Sequence, residues 1–183
     1  MSKVIVFLGS PRKEGNTTKL INRIIAGAKS VGAEIVTYDL NEEGVKGCQS
    51  CFYCRANDGC AVRDKLQSMY KEIKAADGIV AGFPIYFADI GAQSKILIDR
   101  LFPMLAGDFS PRNPGKKIAT VYAQGQPDPT LHTSAIDKNN AVLKGFGWEL
   151  VESMLCHGTL APAYEIPQEL FDKAFEVGKQ LAT

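Results

Sequence analysis

The fold turns on Lys3-Val4-Ile5-Val6-Phe7-Leu8-Gly9-Ser10-Pro11-Arg12-Lys13-Glu14-Gly15-Asn16-Thr17-Thr18, which leads into Leu20, Ile21, Ile24, Ile25 and Ala28. The stretch from Lys3 to Leu8 is continuous, apolar and β-branched, and glycine ends it, so it reads as a strand buried on both faces. From Asn16 onward the apolar residues recur at helical spacing, with Asn16 or Thr17 available as a cap. The joining loop is polar and contains two glycines for tight turning. Arg12 offers bidentate contact to an anion, and the free N–H groups of the following helix add partial positive charge, so a phosphate suits the place. The loop lacks both the Gly-Lys-Ser/Thr ending of a nucleotide P-loop and the Gly-x-Gly-x-x-Gly fingerprint. Its plainer alternative is a capped turn with surface Arg and Lys.

The same alternation continues along the chain. Strand patterns run from Glu34 to Tyr38, Asp77 to Phe83, Lys117 to Tyr122 and Trp148 to Leu155. Helical spacing covers Leu66 to Ile73, Gly91 to Leu105, Leu131 to Phe146 and Leu170 to Leu181. Five β/α units in 183 residues predict one domain, residues 1–183, with helices on both faces of a parallel sheet. The strand count favours an α/β, flavodoxin-like three-layer sandwich with a five-stranded parallel sheet of order 2-1-3-4-5 over a six-stranded dinucleotide fold. Ligands of such sheets sit beyond the carboxyl ends of the strands. That directs attention to the loops after strands one, three and four.

After strand three, Gly82-Phe83-Pro84-Ile85-Tyr86-Phe87-Ala88-Asp89-Ile90-Gly91 stays aromatic where a chain leaving the core normally turns polar. Such a loop suits one side of a flat ring; the alternative is a set of core plugs. After strand four, Ala123-Gln124-Gly125-Gln126-Pro127-Asp128-Pro129 is polar and rich in Gly and Pro, and suits the other side.

Lys and Arg number 21 against 20 Asp and Glu, a net charge of +1 that gives no case for nucleic acid or an anionic membrane. No apolar run reaches the ~18 residues of a spanning helix, and the first is too short for a secretory signal. A cytoplasmic protein with reduced thiols is therefore expected. Four of the five cysteines, Cys48, Cys51, Cys54 and Cys60, fall in one connection at about residues 44–63. In that setting they read first as metal, cofactor or redox chemistry. The x2, x2 start matches bacterial ferredoxins, although the fourth cysteine is local and no proline follows it. A [4Fe–4S] cluster, free thiols or a disulfide, and zinc are the alternatives. Zinc matches worst, because its paired knuckles are spaced further apart. Cys156 reads as a small buried hydrophobe.

These segments resemble the flavodoxin-like NAD(P)H-dependent FMN reductases and the related iron–sulfur flavoproteins. Gly9 to Thr18, the cysteine connection, and Ala76 to Tyr86 continuing to Lys95-Ile96-Leu97-Ile98-Asp99-Arg100 carry the resemblance. Beyond Arg100 it rests on the strand and helix pattern alone. The resemblance implies FMN, with its phosphate against Ser10, Arg12, Asn16, Thr17 and Thr18. The isoalloxazine ring would lie against Pro84, Ile85, Tyr86 and Phe87, with Gln124 and Gly125 nearby. In such proteins the flavin performs the redox step, so no acid–base residue is required. His132 and His157 then read as surface or structural residues. Asp99-Arg100 matches an Asp-Arg pair of the family, and helical spacing equally suits a polar face or a subunit contact. The compact cysteine motif looks like that of the iron–sulfur flavoproteins. However, Ser50 stands where the family commonly has Gly, and Asp64-Lys65 where Asp-Asp is frequent.

The activity so implied is electron transfer from NAD(P)H or a protein donor, through FMN, to flavin, quinone or a similar small acceptor, in a cytoplasmic homodimer or homotetramer. The alternative is a non-enzymatic iron–sulfur flavoprotein carrier working with a redox protein such as ferredoxin. A flavin-sensing or scaffolding module is a third reading. A low-molecular-weight phosphatase is excluded, because the loop after strand one has no cysteine to attack phosphorus.

Overall fold

A computed structural model describes residues 1–183. The chain runs β1 (Lys3–Leu8), α1 (Asn16–Ser30), β2 (Glu34–Asp39), α2 (Tyr53–Ala56), α3 (Met69–Ala75), β3 (Gly78–Tyr86), β4 (Asp89–Ile90), α4 (Ala92–Arg100), β5 (Lys117–Ala123), α5 (Thr133–Lys144), β6 (Glu149–Cys156) and α6 (Gln168–Leu181). The main sheet is parallel in the order β2-β1-β3-β5-β6, which is the expected 2-1-3-4-5 arrangement. The expected five strands are joined by a sixth that was not anticipated: β4 folds back antiparallel on the end of β3.

Strand alternation sorts the core into two layers. Val4 and Val6 face α1 and α6, with Leu20, Ile21, Ile24, Ala174, Val177 and Leu181. Ile5 and Phe7 face the opposite layer, with Met69, Ile73, Leu97, Leu101 and Leu143. The central strand β3 is buried from Gly78 to Ile85, which accounts for its unbroken apolar sequence. The chain steps outward from β1 to β2 and then returns to β3. The crevice at that reversal opens above Leu8 and Pro84.

The helix expected from Gly91 to Leu105 stops at Arg100. Phe102–Met104 forms a separate 3-10 turn, because Pro103 supplies no N–H and pushes Phe102 away from α geometry. The helix expected from Leu66 starts at Met69; turns closed by bonds from Gln67 N to Asp64 O and Met69 N to Leu66 O precede it. The cysteine connection contains the short α2, which has no counterpart in the sequence reading.

Candidate functional site

The loop after β1 is wound around one carbonyl. The Arg12 oxygen accepts from Gly15 N at 3.0 Å, Thr18 Oγ1 at 3.1 Å and Ser10 Oγ at 3.4 Å. Arg12 N in turn donates to Ser10 Oγ at 3.2 Å. With its backbone thus closed, the loop leaves the Arg12 side chain exposed. Helix α1 begins after Gly15 with no side-chain cap and no acid in its first turn. Its first intrahelical donor is Lys19 N, bonded to Gly15 O at 2.9 Å, so the amides of Asn16, Thr17 and Thr18 have no acceptor within the chain. The floor of the loop needs glycine: a Cβ on Gly9 would lie 2.2 Å from both Gly82 O and Ser94 Oγ.

The loop after β3 is a hairpin. Tyr86 pairs with Asp89, and the two residues between them, Phe87 and Ala88, have φ of 46° and 73°. Positive φ at both central positions is what a type I′ turn demands, and here neither residue is glycine. Phe87 projects fully into solvent, while Tyr86 is half-exposed and lies over Gly91, whose Cβ would meet its ring at 2.9 Å. Asp89 anchors the hairpin to α5 through Lys138 and Asn139. The Lys138 ammonium leads in holding its carboxyl below the usual range.

These two loops, the end of β5 with the loop after it, and the segment after β6 enclose a cavity of about 300 Å³. Ser10, Arg12, Asn16 and Thr17 line one end; Pro84, Ile85, Tyr86, Phe87 and Gly125 line the other. A second cavity of about 320 Å³ adjoins it and shares Ile85, Phe87, Gly125 and Leu160. Nine of the eleven residues expected at an FMN site therefore meet at one cavity. Thr18 and Gln124 do not reach it. The Thr18 hydroxyl is spent on the Arg12 carbonyl. Gln124 is buried, and its amide donates to Asp128 O at 2.6 Å and Gln126 O at 3.3 Å, while its Oε1 has no partner. It braces the loop from behind.

Sequence reasoning missed Thr159 and Leu160, while Ala123 belongs to the loop after strand four that it had singled out. Thr159 reaches the wall because its N–H and hydroxyl both donate to Gln124 O, at 3.2 and 3.1 Å. The half-exposed His132, read as a surface or structural residue, lines the second cavity. His157 is exposed, with Nδ1 2.9 Å from Pro127 O.

The four cysteines line a separate cavity of about 60 Å³ against Arg100, Phe102 and Pro103. All are free thiols, so no disulfide joins them. Cys48 and Cys51 are exposed, Cys54 is buried, and burial followed by the proximity of Cys60 and Cys48 pushes its thiol pKa up. Two backbone amides already point at sulfur: Ser50 N at Cys48 Sγ and Val62 N at Cys60 Sγ, both at 3.4 Å. Ser50 has φ of 51°, a left-handed conformation that favours glycine. No three His, Cys, Asp or Glu side chains converge closely enough to hold a single ion. A cubic cluster makes a different demand, because each thiolate binds a different iron and the sulfurs stand around a larger centre. Arg100 is neither a polar-face residue nor a subunit contact here: it is 1% exposed, whereas its neighbour Asp99 is exposed and paired with Lys95. Cys156 is buried as expected, with its sulfur 3.0 Å from Tyr164 Oη. No helix is long and apolar enough to cross a membrane.

Comparisons with known proteins bear on the family and the fold. An iron-sulfur flavoprotein of Methanocaldococcus jannaschii is 38% identical over 111 residues, covering 61% of this chain and 57% of the relative. One of Methanosarcina thermophila is 35% identical, with 58% of its length covered, so the chain spans less than three fifths of these two relatives. An iron-sulfur flavoprotein of Archaeoglobus fulgidus aligns over 98% of this chain and 79% of its own length at 26% identity. Among solved structures, the NAD(P)H:quinone oxidoreductase from Methanothermobacter marburgensis superposes with a TM-score of 0.76 at 15% identity, covering 98% of both chains. An FMN-dependent NADH-azoreductase from Bacillus anthracis str. Ames Ancestor, solved in complex with FMN, gives 0.71 at 14% identity, covering 100% of both. At these identities the two structures establish the fold alone. Residues 2–134 match the sequence model of the family described as NADPH-dependent FMN reductase, and the chain belongs to that family.

Proposed function

We propose that this protein is an FMN-binding oxidoreductase that moves electrons from NAD(P)H or a protein donor to flavin, quinone or a similar small acceptor. The observation that carries the reading is the cavity where Arg12 and the start of α1, with the unpaired amides of Asn16 and Thr17, face an aromatic hairpin. These groups fit the two ends of FMN: a dianionic phosphate at the helix start, and a flat apolar ring at Pro84, Ile85, Tyr86 and Phe87. When bound, FMN supplies hydride and single-electron chemistry. The chain's task is then to bind and orient. Ser10 and Arg12 join the Asn16 and Thr17 amides around the phosphate, while Gly125 lets the backbone approach the ring. Leu160, whose side chain lies 2.6 Å from an ideal Gly125 Cβ, excludes water from the edge. The open second cavity beside Phe87 and His132 suits a small acceptor.

The cysteine cavity favours a second reading beside the first: Cys48, Cys51, Cys54 and Cys60 hold a [4Fe–4S] cluster, and the protein passes single electrons between redox partners such as ferredoxin. Four sulfurs around one cavity, two already receiving amide bonds, support this set. Assembly as a homodimer or homotetramer belongs to the same proposal. Exposed Phe52, Phe87 and Phe109 are the residues for which a neighbouring subunit offers cover, and sedimentation velocity measures it.

Anaerobic purification followed by an absorption spectrum, iron and sulfide analysis, and stopped-flow mixing with NAD(P)H tests both readings. Bleaching of bound flavin by NAD(P)H is expected for the enzyme. Absence of flavin after supplementation with FMN overturns it. Failure of NAD(P)H to bleach, with rapid reduction by ferredoxin, favours the carrier.

A further inference from the structure

Arg100 ends α4 on the wall of the cysteine cavity with its guanidinium inside the protein. Nη1 donates to Lys46 O and to Asp64 Oδ2, both at 2.7 Å. Nη2 donates to Asp64 Oδ1 at 3.0 Å and to Val62 O at 3.4 Å, and Nε donates to Tyr70 Oη at 3.1 Å. Tyr70 Oη donates back to the Arg100 carbonyl at 2.9 Å. Lys46 precedes the first cysteine of the segment and Val62 follows the last, so one side chain ties both ends of the cysteine connection together. Both members of the Arg100–Asp64 pair have fully buried side chains. Burial of that kind is costly unless each charge is fully met, and here it is met only by the ends of this segment and Tyr70. Arg100 lines the cavity with the four cysteines, whereas Asp64, bonded to its guanidinium, does not.

We propose that Arg100 is a positioning residue that latches the cysteine segment closed and holds a fixed positive charge against the group the four thiolates bind, with Asp64 moderating that charge from behind. The inference rests on the [4Fe–4S] reading above. A nearby positive charge stabilises the more negative, reduced state of an electron acceptor, and a carboxylate behind it weakens the effect. Removing Arg100 and removing the Asp64 charge must then act in opposite directions. A purely structural role would move both the same way.

The test compares wild type, Arg100→Gln, Arg100→Lys and Asp64→Asn after anaerobic reconstitution with iron and sulfide. Circular dichroism reports folding of each variant. The cluster midpoint potential should fall in Arg100→Gln, rise in Asp64→Asn and stay near wild type in Arg100→Lys. In metal-free protein, iodoacetamide should alkylate Cys54 at least tenfold faster in Arg100→Gln and Arg100→Lys than in wild type. Potentials that shift together, or Cys54 protected in every folded variant, overturn the inference. Should Arg100→Gln fail to fold, a potential that does not rise in Asp64→Asn overturns the charge role, and protected Cys54 in Arg100→Lys overturns the latch. Wild type that binds no iron or sulfide overturns the cluster reading and the charge role with it, and Cys54 alkylation alone then decides the latch.

Discussion

The Arg12 carbonyl and side chain are assigned different work. The carbonyl is the knot on which Ser10, Gly15 and Thr18 close the loop, while the guanidinium is exposed beside the cavity. Arg12→Ala should leave the loop folded and weaken FMN binding by about 1–3 kcal/mol, measured by fluorescence titration. Unchanged affinity would move the phosphate elsewhere. Asp64 gives a pH-dependent counterpart. Burial opposes its ionisation, but the Arg100 hydrogen bonds and those from the Lys46 and Leu66 amides outweigh this and hold its carboxyl below the usual value. The unfolded chain, with an ordinary carboxylate near about 3.9, therefore takes up the proton first on acidification. The stability from Asp64 is full above that value and is lost as pH falls toward the folded pKa. Asp64→Asn should cost about 3–5 kcal/mol at neutral pH because it strands a buried Arg. Urea melts should show the gap from wild type narrowing below about pH 4. Arg12 was legible from residue type and position. Arg100 was not, since a charge at helical spacing looks the same in sequence whether water or a buried carboxylate meets it.

Among the elements, the β3–β4 hairpin, like the short α2, is one that sequence patterning did not anticipate. Its turn residues, Phe87 and Ala88, are not the Asn-Gly or Gly-Gly pairs that announce a type I′ turn, so the signal was absent rather than overlooked. Two left-handed residues held at the mouth of a cavity are a local strain tolerated by the surrounding pairing. Ala88→Gly should relieve it and raise stability by on the order of 1 kcal/mol, read as a higher melting temperature. A lower melting temperature would show that the alanine methyl is needed. The glycine-bounded loop after β1 was legible because its punctuation follows the usual rules. The end of α4 was not, because the apolar spacing runs on through Leu101 and Phe102 while Pro103 breaks the backbone.

Across the whole molecule, the strand order followed from counting β/α units, and the two buried layers followed from strand alternation. What spacing could not foretell is how closely α1 and α6 approach. An ideal Cβ on Gly178 would lie 2.0 Å from Ile24 O, and one on Gly27 would lie 1.9 Å from Phe175 O, so the helices meet backbone to backbone. Gly178→Ala must push α1 away from α6. Even with the better helix propensity of alanine it should cost about 1–3 kcal/mol, and because α1 carries the amides proposed to hold the FMN phosphate, FMN affinity should fall with it. Thermal melts and flavin titration on the same variant check the pair of effects.

Helix α4 joins the two ends of this architecture. Near its start, Ser94 Oγ donates to Gly82 O at 3.3 Å beneath the loop after β1; at its end, Arg100 grips the cysteine segment. A helix this short has little stability alone, so the protection of its amides comes from the core packing of Leu97 and from those two moorings. Hydrogen exchange along α4 is then a gauge of both sites at once. Loosening the Arg100 end should speed exchange through the whole helix, including the amides nearest the Ser94 mooring, and mass spectrometry of its peptides can read that directly.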